Sequence, residues 1–223
     1  PLRLQRGAQI AGFPLLIWRR RHHRHARGGG RHTFHGFRDI GPIISDLRGQ
    51  SEVLRAYTGR MSFAHLGLSA ALVRVAADHG FETPTPIQEA AIPPILEGHD
   101  VLGLAQTGSG KTAAFALPVL HHLLNERPRA PKRLRVLVLV PTRELAMQVG
   151  EVMRDMSQGL PGAIKVVTAF GGVSINPQMM SLRGGADIVV ATPGRLLDLV
   201  DHNALRLSDV GALVLDEADR LLD

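Results

Sequence analysis

Residues Asp100–Thr112 read DVLGLAQTGSGKT, and the fold turns on how they are read. Val101 to Leu104 is a short apolar run of strand length. It is broken at once by Ala105-Gln106-Thr107-Gly108-Ser109-Gly110-Lys111-Thr112, after which Ala113, Ala114, Ala116, Leu117 and Leu120 follow a helical pattern. A strand, a glycine turn and a helix start together form a phosphate cradle. Glycines let backbone N–H groups turn inward, and the helix start adds positive potential. Lys111 reaches the outer phosphates, while Thr112 offers a hydroxyl to magnesium. The usual spacing begins on glycine, where this chain has Ala105. The alternative is an ordinary strand–helix turn, and the residues downstream decide between them.

Apolar strands and helical stretches alternate from there. The pattern predicts strands over 135–140, 165–170, 187–190 and 212–215, with helices after Thr142, around Gln178 to Leu182 and from Pro193 to Val200. Upstream, Ser69 and Thr85 are placed to cap two helices, with Pro86 at the first position of the second and Gln88 in its first turn. Five Val/Leu/Ile-rich runs separated by helices predict an α/β fold, a parallel sheet covered on both faces. Ligands then belong at the carboxyl ends of its strands.

Charges at those ends run against the helix dipole. A cation in the first turn is disfavoured by a few tenths to ~1 kcal/mol, yet Lys111, Arg143 (in Pro141-Thr142-Arg143) and Arg195 (in Thr192-Pro193-Gly194-Arg195) all sit there. Taken singly, Arg143 can be balanced by Glu144 and Arg195 can reach solvent. Taken together they read as a row of phosphate sites, Lys111 for a nucleotide and the two arginines for a nucleic-acid backbone. The opposite oddity is Asp216-Glu217-Ala218-Asp219, three carboxylates following a wholly apolar strand. Magnesium held by Asp216 and a water activated by Glu217 would account for them.

The 223 residues contain no cysteine, which excludes disulfides and thiolate metal sites and suits a reducing compartment. The net charge of +6 is unevenly spread. Residues 1–60 hold twelve arginines against three acidic groups, net +9, and residues 61–223 hold fourteen basic against seventeen acidic groups, net −3. RNA affinity of the ordered part must therefore come from local placement. Ile10 to Trp18 is too short for a bilayer span, which needs roughly twenty residues, and its arginines follow the apolar run, unlike those of a secretion signal. The tract from Arg19 to His32 could be a basic RNA-binding tail, a histidine metal tract or sequence without selected structure. The last is the expectation for residues 1–60, with Met61 as the natural start.

The stretches GFETPTPIQ, AQTGSGKT, PTRELAMQ, Gly171-Gly172, TPGR and DEAD, in this order, resemble the DEAD-box ATP-dependent RNA helicases, in which Ala105 is the normal residue. MSFAHLGLSAAL and GGVSINPQMMSLRGG look most like the bacterial RhlE-type branch. The likeness covers residues 61–223 and implies a P-loop RecA-like ATP-binding domain, the incomplete first lobe of a two-lobe helicase core. It implies ATP and Mg2+ as cofactors, RNA as partner, no membrane association and a cytoplasmic location. By resemblance, Gln88 reads the adenine edge and Phe63 packs on the base. Ala105, Gln106, Thr107, Gly108, Ser109, Gly110, Lys111 and Thr112 hold phosphates, with Thr112 and Asp216 at the metal. Lys111, Asp216 and Glu217 are catalytic, and Asp219 couples the lobes. Pro141, Thr142, Arg143, Gly172, Thr192, Gly194 and Arg195 grip the RNA backbone. The family's Ser-Ala-Thr motif and second lobe are absent from the 223 residues, so an exposed sheet edge and a catalytically silent fragment are expected.

Overall fold

The computed structural model describes residues 15–20, 62–126 and 130–221, the first of these as backbone only. Met61 and the tract after Arg20 lie outside the described residues.

Six strands form one sheet: β1 Leu15–Arg20, β2 Val101–Leu104, β3 Val136–Leu139, β4 Val166–Ala169, β5 Ile188–Ala191 and β6 Ala212–Leu215. Their spatial order is β2-β1-β6-β3-β5-β4. The run β6-β3-β5-β4 is parallel and level, with Leu139 opposite both Ala191 and Leu215, and Ala169 opposite Ala191. β1 runs antiparallel to both its neighbours, placing Ile17 between Leu102 and Leu215. β2 therefore points the same way as β6, and all five predicted strands share one direction. The strand at Leu15–Arg20 was not expected from sequence. It fills the position between the glycine-turn strand and the acidic strand, and the sheet ends at β2 and β4.

The helices follow their start signals. They are α1 Ala70–Asp78, α2 Pro86–Leu96, α3 Lys111–Asn125, α4 Arg143–Gln158, α5 Asn176–Ser181, α6 Pro193–Asp201 and α7 Ala218–Leu221, with a 3-10 turn at Phe63–Leu66. Thr142 caps α4 by accepting a hydrogen bond from Leu145 N–H at 3.2 Å, which satisfies one of the donors a helix start leaves open.

Successive strand residues point to opposite faces. Val136, Val138, Ile188, Val190 and Val214 pack with α1 to α4, while Leu137, Leu139, Val189, Ala191 and Leu215 pack with Leu182, α6 and Ala218. Burial on both faces explains why β3 and β5 are apolar throughout rather than alternating. α3 is buried all round from Ala113 to Leu120, so its amino end is held rigidly at the sheet edge. Among the described residues no helix is long and apolar enough to cross a membrane.

The amino ends of the strands are fastened by a buried acid. Asp187 accepts from Arg135 at 2.8 Å and from Lys165 N–H at 2.8 Å, and also pairs with Lys132. Burial alone would raise its pKa, but Lys132, the Lys165 amide and Arg135 together hold it below the usual carboxylate range.

Candidate functional site

The carboxyl ends of the parallel strands gather five of the stretches singled out from the sequence. β2 leads into Ala105–Gly110, β3 into Pro141-Thr142-Arg143, β4 into Phe170-Gly171-Gly172, β5 into Thr192–Arg195 and β6 into Asp216-Glu217. Backbone bonds from Val140 N to Ala191 O, Thr192 N to Ala169 O and Asp216 N to Leu139 O, each 3.0 Å, extend the ladder into these loops. Lys111, Arg143, Arg195 and Asp216 therefore share one edge. Strand order sorts them: the glycine loop and the acids flank β1, and the three remaining loops line the β3-β5-β4 side.

In the glycine loop, Lys111 is 7% exposed and donates to Ala105 O at 2.6 Å and Gln106 O at 3.1 Å. Those bonds fold the ammonium back over the loop. Gly110 caps α3 with φ 91°, and a Cβ there would lie 2.5 Å from Gln88 Nε2. Conformation thus favours glycine there, and any side chain would push the Gln88 amide aside. Gln88 is buried at the start of α2, accepts from Thr85 N–H at 2.9 Å and donates to Gly110 O at 3.1 Å. Sequence spacing alone assigned Gln88 no task; the structure makes it the link between the α2 start and the glycine loop. Ser109 Oγ is buried in the loop without a hydrogen-bond partner among the described residues.

Phe63 is buried in the helical core, its ring centroid 6.3 Å from that of Phe81. Phe81, its ring partner, was given no role from sequence.

Asp216 contrasts with Asp187. It is 3% exposed, accepts from Glu217 N–H at 3.1 Å and makes no ion pair among the described residues. Burial pushes its carboxyl up to about 6, against the pull of the Lys111 charge and with a further push from Glu217 and Asp219. Glu217 has φ 52° and pairs with Arg220 at 3.0 Å. Among the described residues no group of three His, Cys, Asp or Glu could hold a metal. A magnesium ion would fit through one buried carboxylate, the Thr112 hydroxyl and a nucleotide's own phosphates.

Asp216→Asn tests this electrostatic account. A carboxyl raised from 3.8 to about 6 on folding binds its proton more tightly in the folded state. Its stabilising contribution is full below pH ~4 and is lost as pH climbs through ~6. Asparagine keeps the acceptor for Glu217 N–H and removes the charge. The variant should match wild type in thermal melts at pH 4 and exceed it by about 3 kcal/mol at pH 7–8. A stability difference that does not vary with pH would show that Asp216 is not strained by burial.

On the other side, Arg143 is exposed and its guanidinium lies 5.0 Å from the Phe170 ring centroid, a cation–π distance. Arg195 does not reach solvent: it is 7% exposed, donates from Nη2 to Val173 O at 2.7 Å and lies 3.4 Å from Asp198. Its Nη1 is buried without a partner among the described residues. A buried guanidinium with an open donor is costly unless an anion completes it.

Residues 85–223 match the DEAD/DEAH box helicase family. The ATP-dependent RNA helicase DeaD of Klebsiella pneumoniae is 52% identical over 161 residues, which are 72% of this chain and 24% of that protein. The protein of the same name from Escherichia coli (strain K12) is 52% identical over 161 residues, 25% of its length. That from Haemophilus influenzae is 46% identical over 165 residues, 74% of this chain and 26% of the relative. The chain thus spans about a quarter of the length of these relatives. With the glycine loop, the buried acid and the helix-start arginines all inside a match that takes in more than half its length, the chain belongs to the DEAD/DEAH box helicase family.

Proposed function

We propose that the chain is the ATP-binding lobe of an ATP-dependent RNA helicase, with residues 61–223 as the RecA-like unit. One observation carries the reading. The carboxyl edge of one sheet presents a glycine loop with a buried lysine, a buried aspartate that makes no ion pair among the described residues, and an arginine whose buried Nη1 has no partner among them.

In this reading Gln88 meets the adenine edge and, through its bond to Gly110 O, couples base recognition to the phosphate loop. Lys111 exchanges the Ala105 and Gln106 carbonyls for phosphate oxygens. Bound magnesium would neutralise developing phosphate charge; Thr112 and Asp216 are the residues that would hold it. Glu217 orients the attacking water once its carboxylate leaves Arg220, and Asp219 transmits the state of the site to a second lobe. Pro141, Thr142, Arg143, Gly172, Thr192, Gly194 and Arg195 hold RNA by its backbone, which makes binding independent of sequence. The polypeptide of 223 residues binds nucleotide and RNA weakly and turns over negligibly. Steady RNA-stimulated hydrolysis by it would overturn that statement. The RhlE-type branch rests on residues 61–72 and 171–185 alone, beside relatives named DeaD. The same reading places its action in the cytoplasm.

Arg195→Ala separates the two halves of the edge. Binding of a fluorescent short oligouridine should weaken about tenfold or more, the effect of removing a charge-assisted contact of 1.5–3 kcal/mol. Affinity for a fluorescent adenine nucleotide should stay within about twofold. Equal losses of both, or no RNA binding by wild type, would refute the assignment.

A further inference from the structure

α5 carries one buried polar side chain, Gln178, 8% exposed. Its amide closes a two-bond ring on the main chain of Phe170: Phe170 N–H donates to Oε1 at 3.2 Å, and Nε2 donates to Phe170 O at 3.0 Å. Phe170 directly follows β4, the edge strand, so Gln178 supplies both bonds that a further strand would otherwise make. The short segment this pins bears on both arginines. The Phe170 ring lies under Arg143, a Cβ on Gly172 would be 4.0 Å from Arg143 Nη1, and Val173 O receives Arg195 Nη2. Two cations from two different helix starts thus rest on one loop, and the Gln178 amide fastens the start of that loop.

We propose that Gln178 is a positioning residue for the nucleic-acid edge, holding the Phe170–Val173 loop where Arg143 and Arg195 lean on it. The proposal rests on the RNA reading above. It goes further by placing control of both phosphate contacts in a side chain that touches neither. A merely structural glutamine would stabilise the fold without affecting where the guanidinium groups stand.

The 223-residue chain is compared with Gln178→Met, which keeps length and burial but removes both bonds, and with Phe170→Leu, which keeps the main-chain ring and removes the aromatic seat of Arg143. Binding of a short oligouridine is measured across salt concentrations well below each melting temperature. Gln178→Met should lose about tenfold in affinity, and its log–log salt slope should flatten by about 0.7 for each phosphate no longer neutralised. Phe170→Leu should flatten the slope by about half as much, because only Arg143 is released. Adenine nucleotide affinity should not change. Gln178→Met that melts lower but keeps the wild-type RNA affinity and slope would overturn the proposal. Should wild type fail to bind RNA, the RNA reading falls. The positioning claim is then judged by the ring-current shift of the Arg143 side-chain protons. Loss of that shift in Gln178→Met upholds it, and an unchanged shift overturns it. If Gln178→Met does not fold, Gln178→Asn takes its place: it keeps the amide but is one methylene too short to close the ring on Phe170, and wild-type RNA affinity and slope in it would overturn the proposal.

Discussion

Lys111→Ala should abolish measurable nucleotide binding, with a loss of at least about a hundredfold, or roughly 3 kcal/mol. The ammonium is buried at the first position of α3, where the helix dipole opposes a cation, and two carbonyls of the glycine loop hold it there. A cation kept in an unfavourable place by nearby acceptors is poised for a polyanion, which offers stronger charge-assisted bonds than neutral carbonyls. The substitution has a second consequence that binding data do not contain. The Lys111 charge is the leading influence holding the Asp216 carboxyl down, so without it that group should titrate higher still. Stability of Lys111→Ala should therefore continue to fall with rising pH beyond the point where wild type levels off. Titration with a fluorescent adenine nucleotide checks the first effect, and thermal melts from pH 5 to 8 check the second. Nucleotide affinity within a few-fold of wild type would show that the loop is an ordinary strand–helix turn.

How much of this was legible in sequence depended on whether the signal was local. β3 and β5 are continuous apolar runs because both their faces are buried, and every strand end falls within one residue of the expected one: β3 and β4 are shorter by one at each end, β5 lies one residue further on, and β2 and β6 are unchanged. The cations at helix starts were legible because they contradict the dipole, and the structure keeps Lys111, Arg143 and Arg195 on one edge. The burial of Arg195 was not legible. It depends on Val173 O, twenty-two positions away in another loop. Gln178 looked like any polar residue in a short helix, since its partner is fixed only once β4 is placed. Asp187 and Asp216 each flank an apolar strand in sequence. Only the neighbours brought by the fold, Arg135 and Lys132 for one and no ion pair for the other, separate a structural acid from a candidate functional one.

β1 is the extreme case. Leu15–Arg20 pairs with residues more than eighty positions away on one side and almost two hundred on the other, and pairing of that range leaves no trace in local periodicity. Its place in the sheet makes a large effect testable. β1 connects the strand that leads into Lys111 to the strand that leads into Asp216, so the spacing of the nucleotide half of the site depends on it. Proline at Ile17, which stands between Leu102 and Leu215, would remove an N–H from an interior strand and clash with the ladder. Ile17→Pro should cost about 3 kcal/mol or more, a fall of about 6–12 °C in melting temperature for a chain of this size. It should also weaken nucleotide binding, since β2 would be left without a partner strand. Ile17→Val, which keeps the N–H, is the control and should change both far less. Should Ile17→Pro melt and bind like wild type, β1 would have no part in the sheet. Residues 61–223 would then stand as a self-sufficient domain, as the contrast in composition between the two segments led one to expect.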